Sequence, residues 1–185
     1  MTGSKAGKGQ EDSKDSSKRL RWIWRDGLYS RLALDGQEVG SLEFSGARGS
    51  LAASKSEKGN WTFKRFGFLR PKIIVRSVGS SSNYALASMN WTGGGILEIS
   101  DGSKFRISRS GFWRPQLDVR DSSGNEILSL RVDRRSEEAT VKVQDDVELS
   151  QQEHLLASLA WYIIVLTMRY ENDAGYIAAI VATVG

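Results

Sequence analysis

The residues able to do acid–base, nucleophilic or metal chemistry are few in this 185-residue chain, and their spacing argues against catalysis. There is no Cys, which removes thiolate nucleophiles, thiolate metal sites and disulfides. The single His, His154, would have to serve as a general base without an evident Ser or Asp partner. It stands in the first turn of an apolar run, where a boundary position at the mouth of a core is the simpler role. Asp26, Asp35, Asp101 and Asp121 sit beside turns, where Asp side chains bond nearby backbone N–H groups. No two carboxylates form a defensible acid/base couple. Gly93-Gly94-Gly95 precedes a strand and lacks a following Lys-Ser/Thr, so it is a hairpin turn and not a phosphate loop. These residues predict a non-enzyme with no cofactor and no bound metal.

Binding chemistry is better represented. Lys64, Lys72, Arg76, Lys104, Arg106 and Arg120 alternate with apolar residues, so they point outward from strands. Arg70 and Arg114 occupy equivalent loops, and Trp113 replaces Leu69 in one of them, making it the aromatic best placed to dip into a membrane or partner. Lys64, Arg70, Lys72, Arg76, Arg114 and Trp113 form the candidate surface for anionic lipid headgroups or a protein partner. The competing reading is a solvated barrel exterior with charges that discourage strand pairing. Trp61, Trp91, Trp113 and Trp161 could line a pocket, but three stand in strands or turns at repeat positions and Trp161 lies in the apolar helix, so core packing is the default. Six basic residues face three acidic ones between Met1 and Arg21. That Gly/Ser/Lys-rich stretch predicts a disordered basic tail over residues 1–19. It has no apolar signal-peptide core, which with the absent Cys points to the cytoplasm. The remaining charge is nearly balanced, and a nucleic-acid footprint is not expected.

These side chains are positioned by repeats. Gly67-Phe68-Leu69-Arg70-Pro71-Lys72-Ile73-Ile74-Val75-Arg76 returns 44 residues later as Gly111-Phe112-Trp113-Arg114-Pro115-Gln116-Leu117-Asp118-Val119-Arg120, with six of ten positions identical. Gly36-Gln37-Glu38-Val39-Gly40-Ser41-Leu42 returns at twice that offset as Gly124-Asn125-Glu126-Ile127-Leu128-Ser129-Leu130. Three copies follow, the first the most eroded. Within a copy apolar residues alternate, as in Trp61/Phe63, Phe105/Ile107 and Leu117/Val119, predicting half-buried strands. Turn signals divide the chain into twelve strands near 21–25, 28–34, 38–44, 50–54, 60–65, 72–76, 84–90, 95–100, 104–108, 116–120, 126–132 and 139–143.

After Val143 the periodicity changes. Ser150 and Glu153 make a capping-box pair ahead of an apolar run from Leu155 to Met168 that includes Leu159, Trp161, Tyr162, Ile163 and Leu166. A helix apolar on every side belongs in a core or a membrane. Its fourteen residues span roughly 21 Å, short of the ~30 Å hydrocarbon layer and close to the ~17–23 Å of five to seven strand residues. A core helix ending at Arg169, sheathed by the sheet, is therefore expected, with residues 171–185 a separate apolar extension.

Twelve repeated strands followed by one hydrophobic helix resemble the superfamily of the tubby C-terminal domain, the plant LURP-one-related proteins and the phospholipid scramblases. The resemblance covers roughly residues 20–170 and rests on the repeated Gly-Phe-(Leu/Trp)-Arg-Pro unit, the Gly-(Gln/Asn)-Glu hairpins and Leu155–Met168. It implies a twelve-stranded closed barrel around a central helix; a β-trefoil plus helix is the alternative, though a trefoil centre has no room for that helix. No phosphoinositide-binding residue of tubby proteins carries over by position. Asp145-Asp146-Val147-Glu148 lies where scramblases have a proposed calcium segment, but it lacks the alternating ligands and Gly of an EF-hand loop. Two functions follow: a tubby-like or LURP-one-related binding module that docks on anionic lipid or a protein partner, or a membrane-inserted, scramblase-like protein using the hydrophobic helix.

Overall fold

In a computed structural model the backbone is described for residues 20–184, except Arg48, Phe68, Leu69, Trp91, Phe112, Trp113, Arg134, Glu137 and residues 145–148; side chains are described as far as Tyr170. The predicted basic tail, the acidic connector and the Trp113 assignment lie outside these residues.

The alternating segments form β1 (Leu20–Trp24), β2 (Tyr29–Leu34), β3 (Gln37–Phe44), β4 (Leu51–Ser56), β5 (Gly59–Phe66), β6 (Lys72–Ser77), β7 (Ala85–Met89), β8 (Gly95–Ile99), β9 (Lys104–Ser110), β10 (Gln116–Arg120), β11 (Glu126–Asp133) and β12 (Glu138–Val143). Every expected strand is present, with ends within two residues of expectation. Each strand pairs antiparallel with the next, and β1 closes on β12 through Leu20↔Val141 and Trp22↔Ala139. One twelve-strand circuit replaces the trefoil alternative and leaves no open sheet edge.

The repeats recur as equivalent geometry. Gly67 and Gly111 have φ of +78° and +73°, and a Cβ would lie 3.0 Å from the Arg70 carbonyl oxygen and 2.2 Å from that of Arg114. Only glycine closes this turn. The following prolines start strands where no ladder N–H is needed, and their carbonyls accept equivalent bonds, Met89 N–H to Pro71 at 2.8 Å and Val132 N–H to Pro115 at 3.0 Å. The second repeated segment carries a register shift in both copies, at Val39 opposite Leu32/Ala33 and at the equivalent Ile127 opposite Val119/Arg120.

Helix α1 (Gln151–Val184) begins at the capping box: Ser150 N–H donates to Glu153 Oε2 at 2.7 Å, and Glu153 N–H to Ser150 Oγ at 3.2 Å. The helix fills the barrel. Leu155, Leu159, Trp161, Tyr162, Ile163 and Leu166 are all at most 4% exposed, and Trp161 and Ile164 are fully buried. Trp161 stacks on Trp22 and meets Trp24 edge-on, while Tyr162 stacks on Phe44 and Phe63. Three polar contacts set its depth: Trp22 Nε1 donates to the Ala157 carbonyl at 3.2 Å, Ser54 and Ser158 share a bond of 2.9 Å, and the Tyr162 hydroxyl donates to the Ser50 carbonyl.

The expected end at Arg169 is corrected. The helix continues to Val184 as one element. The charged residues between Arg169 and Asp173 change polarity, but neither a Pro nor a capping Gly stands there to stop the backbone.

Candidate functional site

With the lumen filled, binding chemistry is left to the exterior and the two ends. Successive antiparallel strands send alternate loops to opposite ends. Arg169 identifies one of them: it donates to the carbonyls of Gly46 and Gly27, and its guanidinium lies 3.9 Å from the Phe44 ring centroid. At this exit end, where α1 leaves the barrel, lie the loops 25–28, 45–50, 67–71, 90–94, 111–115 and 134–137. The entry end carries 35–36, 57–58, 78–84, 100–103, 121–125 and the connector to α1.

The two ends have opposite charge. Among the described loop residues, the exit end presents Arg25, Arg70, Arg114 and Arg135 against Asp26. The entry end presents Asp35, Glu57, Asp101 and Asp121 against Lys58. Exposed apolar side chains follow the cations. Leu28, Leu51, Phe66, Ile96 and Tyr170 all lie in or within two residues of the exit-end loops or at the helix exit, whereas among the described residues Val78 is the one exposed large apolar side chain in an entry-end loop. Arg65 stacks over the Tyr170 ring at 4.7 Å, extending the mixed cationic and apolar surface onto α1.

The predicted binding residues divide accordingly. Arg70 and Arg114 are exposed at the exit end, four strands apart around the barrel. Lys72 pairs with Phe66 at the start of β6, and Lys64 lies exposed two residues before Phe66 in β5. Arg76 belongs elsewhere: it lies toward the entry end, with Nε donating to Asn83 Oδ1 at 3.0 Å. Sequence reasoning missed Arg25, Arg135 and the exposed Leu28, Leu51, Phe66, Ile96 and Tyr170. Assigning loops alternately to two ends and summing their charges would have found the two arginines.

The remaining chemistry-bearing residues are accounted for by structure. Asp26 accepts from the Leu28 and Tyr29 N–H groups, Asp101 from Ser103 and Asp121 from Asn125, at 2.7–2.8 Å. Hydrogen bonds at these turns hold all three carboxyls below their usual range. His154 is 4% exposed and lines a groove of about 630 Å³ at the entry end with Leu34, Val39, Lys58 and Leu149. Burial, reinforced by Lys58 and opposed by Glu153, lowers its pKa and favours neutral imidazole. Among the described residues no group of three His, Asp or Glu is placed to hold a metal ion, and no helix is long and apolar enough to cross a membrane. No protein-family model, curated protein or solved structure matches the chain.

Proposed function

We propose that the chain is a non-enzymatic binding module of the tubby-like or LURP-one-related type, and that it docks its exit end on an anionic membrane surface at the cytoplasmic face. The carrying observation is the coincidence of Arg25, Arg70, Arg114 and Arg135 with exposed Leu28, Leu51, Phe66, Ile96 and Tyr170 at one end of a barrel whose other end is acidic. A basic residue near an anionic leaflet contributes about 1 kcal/mol. Four arginines therefore supply about 4 kcal/mol, near a thousandfold in partition. Much of this is screened once the rim stands more than ~8 Å from the surface at physiological ionic strength. The apolar side chains hold the contact at short range, and the acidic end disfavours the inverted orientation. The inserted, scramblase-like reading is less well supported, because Leu155–Leu166 are buried among the strands and would have to leave them to meet lipid.

Vesicle flotation tests the proposal. The chain should bind phosphatidylcholine vesicles containing 30 mol% phosphatidylserine far better than phosphatidylcholine alone. Replacing Arg70, Arg114 and Arg135 by Gln should weaken that binding by about two orders of magnitude. Lys104→Gln combined with Arg76→Gln should have little effect. Equal affinity for both vesicle types, or equal losses in the two variants, would exclude the reading and turn attention to a protein partner.

A further inference from the structure

The helix that fills the barrel does not stop where the barrel does. Its side chains are buried through Leu166, half-buried from Thr167 to Arg169 and exposed at Tyr170, yet α1 runs to Val184. Fourteen further residues extend about 21 Å at a rise of ~1.5 Å each. Their sequence is in two parts. Arg169, Glu171 and Asp173 bring charge into the sequence just after the barrel-filling segment, and the eleven residues from Ala174 to Val184 contain no charge and include Ile177, Ile180, Val181 and Val184.

We infer that α1 has two apolar halves with different solvents: the first is the barrel core, and the second is an anchor presented to lipid at the cationic end. The inference rests on the docking reading above and deepens it by naming the acyl-chain region of the same membrane as a second contact. Exit through the rim of arginines points the helix along the barrel axis toward whatever surface that rim contacts. The backbone of residues 169–173, a stretch with three charged residues, then falls at headgroup height. Eleven uncharged residues extend about 16 Å beyond them, while the headgroup zone of one leaflet accounts for roughly 5–8 Å. The extension is therefore long enough to cross the headgroups and reach hydrocarbon. Together with the arginine rim it supplies a second attachment, and stable anchoring generally requires two.

Because the chain has no Cys, a single introduced thiol reports on one position. Ile180→Cys, labelled with the environment-sensitive fluorophore NBD, should brighten and shift to shorter wavelength on adding vesicles with 30 mol% phosphatidylserine. Acyl-chain doxyl lipids should quench it. Ser82→Cys, in the entry-end loop between β6 and β7, should show neither response. If the protein floats with anionic vesicles while the label at 180 stays in water, the anchor is wrong and docking stands. If that label enters phosphatidylcholine vesicles equally well, the anchor stands and the cationic docking reading fails. If neither flotation nor a spectral change occurs, both fail. As a second measurement, Ile177→Asp with Ile180→Asp should weaken vesicle binding at least tenfold with unchanged near-ultraviolet circular dichroism. Unchanged binding by that variant would overturn the anchor.

Discussion

Trp161 tests whether the helix is truly a core element, because two opposing effects at one side chain can be separated by size. The indole is fully buried, stacked on Trp22 with centroids 5.9 Å apart and edge-on to Trp24 at 5.7 Å. Its Nε1–H has no hydrogen-bond partner among the described residues. Trp161→Ala should cost about 3–5 kcal/mol, the usual result of opening an aromatic-sized cavity in a packed core. Trp161→Phe removes only about 40 Å³, worth about 1 kcal/mol at ~24 cal/mol per Å³. It also removes the unpaired buried donor, whose desolvation costs about 1–3 kcal/mol. The Phe variant should therefore lie within about 1 kcal/mol of the parent, well above the Ala variant. Urea unfolding followed by far-ultraviolet circular dichroism would give both values at unchanged m. A loss below about 1 kcal/mol for Trp161→Ala would refute the sheathed helix. A Phe variant as unstable as the Ala variant would mean that Nε1–H is satisfied and that the stacking geometry dominates.

Three further outcomes follow from the packing. The folded chain disfavours protonated His154, while the unfolded chain accepts that proton near pH 6.5; stability should decline as pH falls below about 6.5, by at most ~1.4 kcal/mol per pH unit from this residue, and His154→Gln should remove that part of a pH series of urea midpoints. Gly111→Ala forces a Cβ against the Arg114 carbonyl at positive φ and should lower stability by at least about 2 kcal/mol, whereas Gly27→Ala, with open space around it, should leave the thermal midpoint nearly unchanged. Ser54→Ala or Ser158→Ala alone should cost about 1–2 kcal/mol by stranding the other buried hydroxyl, and the double variant should recover part of that loss in a double-mutant cycle.

Much of the fold was legible because each barrel strand shows one face to the core. Trp61 and Phe63, or Leu117 and Val119, alternate cleanly with polar residues, and a twelve-strand count follows from the turns between such runs. Strand pairing in sequence order then needs no long-range information. The helix interior was legible too, since a segment apolar on all sides requires cover on all sides. Its C-terminal end was not: the expected stop at Arg169 treated charge as a helix breaker, whereas backbone continuity is interrupted by Pro, by Gly in a capping geometry or by competing side-chain bonds. The candidate surface was half legible. Arg70 and Arg114 were placed together by their repeat, but Arg25 and Arg135 belong to no repeated motif. Arg76 was grouped with them on alternation alone, which distinguishes inside from outside and says nothing about position along the barrel.

That last distinction explains how repetition produces a polarised molecule. Each copy contributes four strands, an even number, so the chain returns to the same end of the barrel after every copy. A loop type repeated at an offset of one copy must land on one end. The Arg-Pro turns before β6 and β10 therefore share an end, as their equivalent carbonyl bonds to Met89 and Val132 reflect. With an odd number of strands per copy, the same motif would have alternated between ends and its charges would have opposed one another across the barrel. Filling the lumen with α1 then removes the interior as a place for ligands, and the exit end is where the cations, the exposed apolar residues and the emerging helix coincide. Because α1 passes through the core, the position of that end is tied to core packing: Ser54–Ser158 and Trp22–Ala157 set the depth of the helix and thereby the height at which Arg169 and Tyr170 meet the rim. A residue deep in the lumen can thus govern the geometry of the external surface without touching whatever binds there.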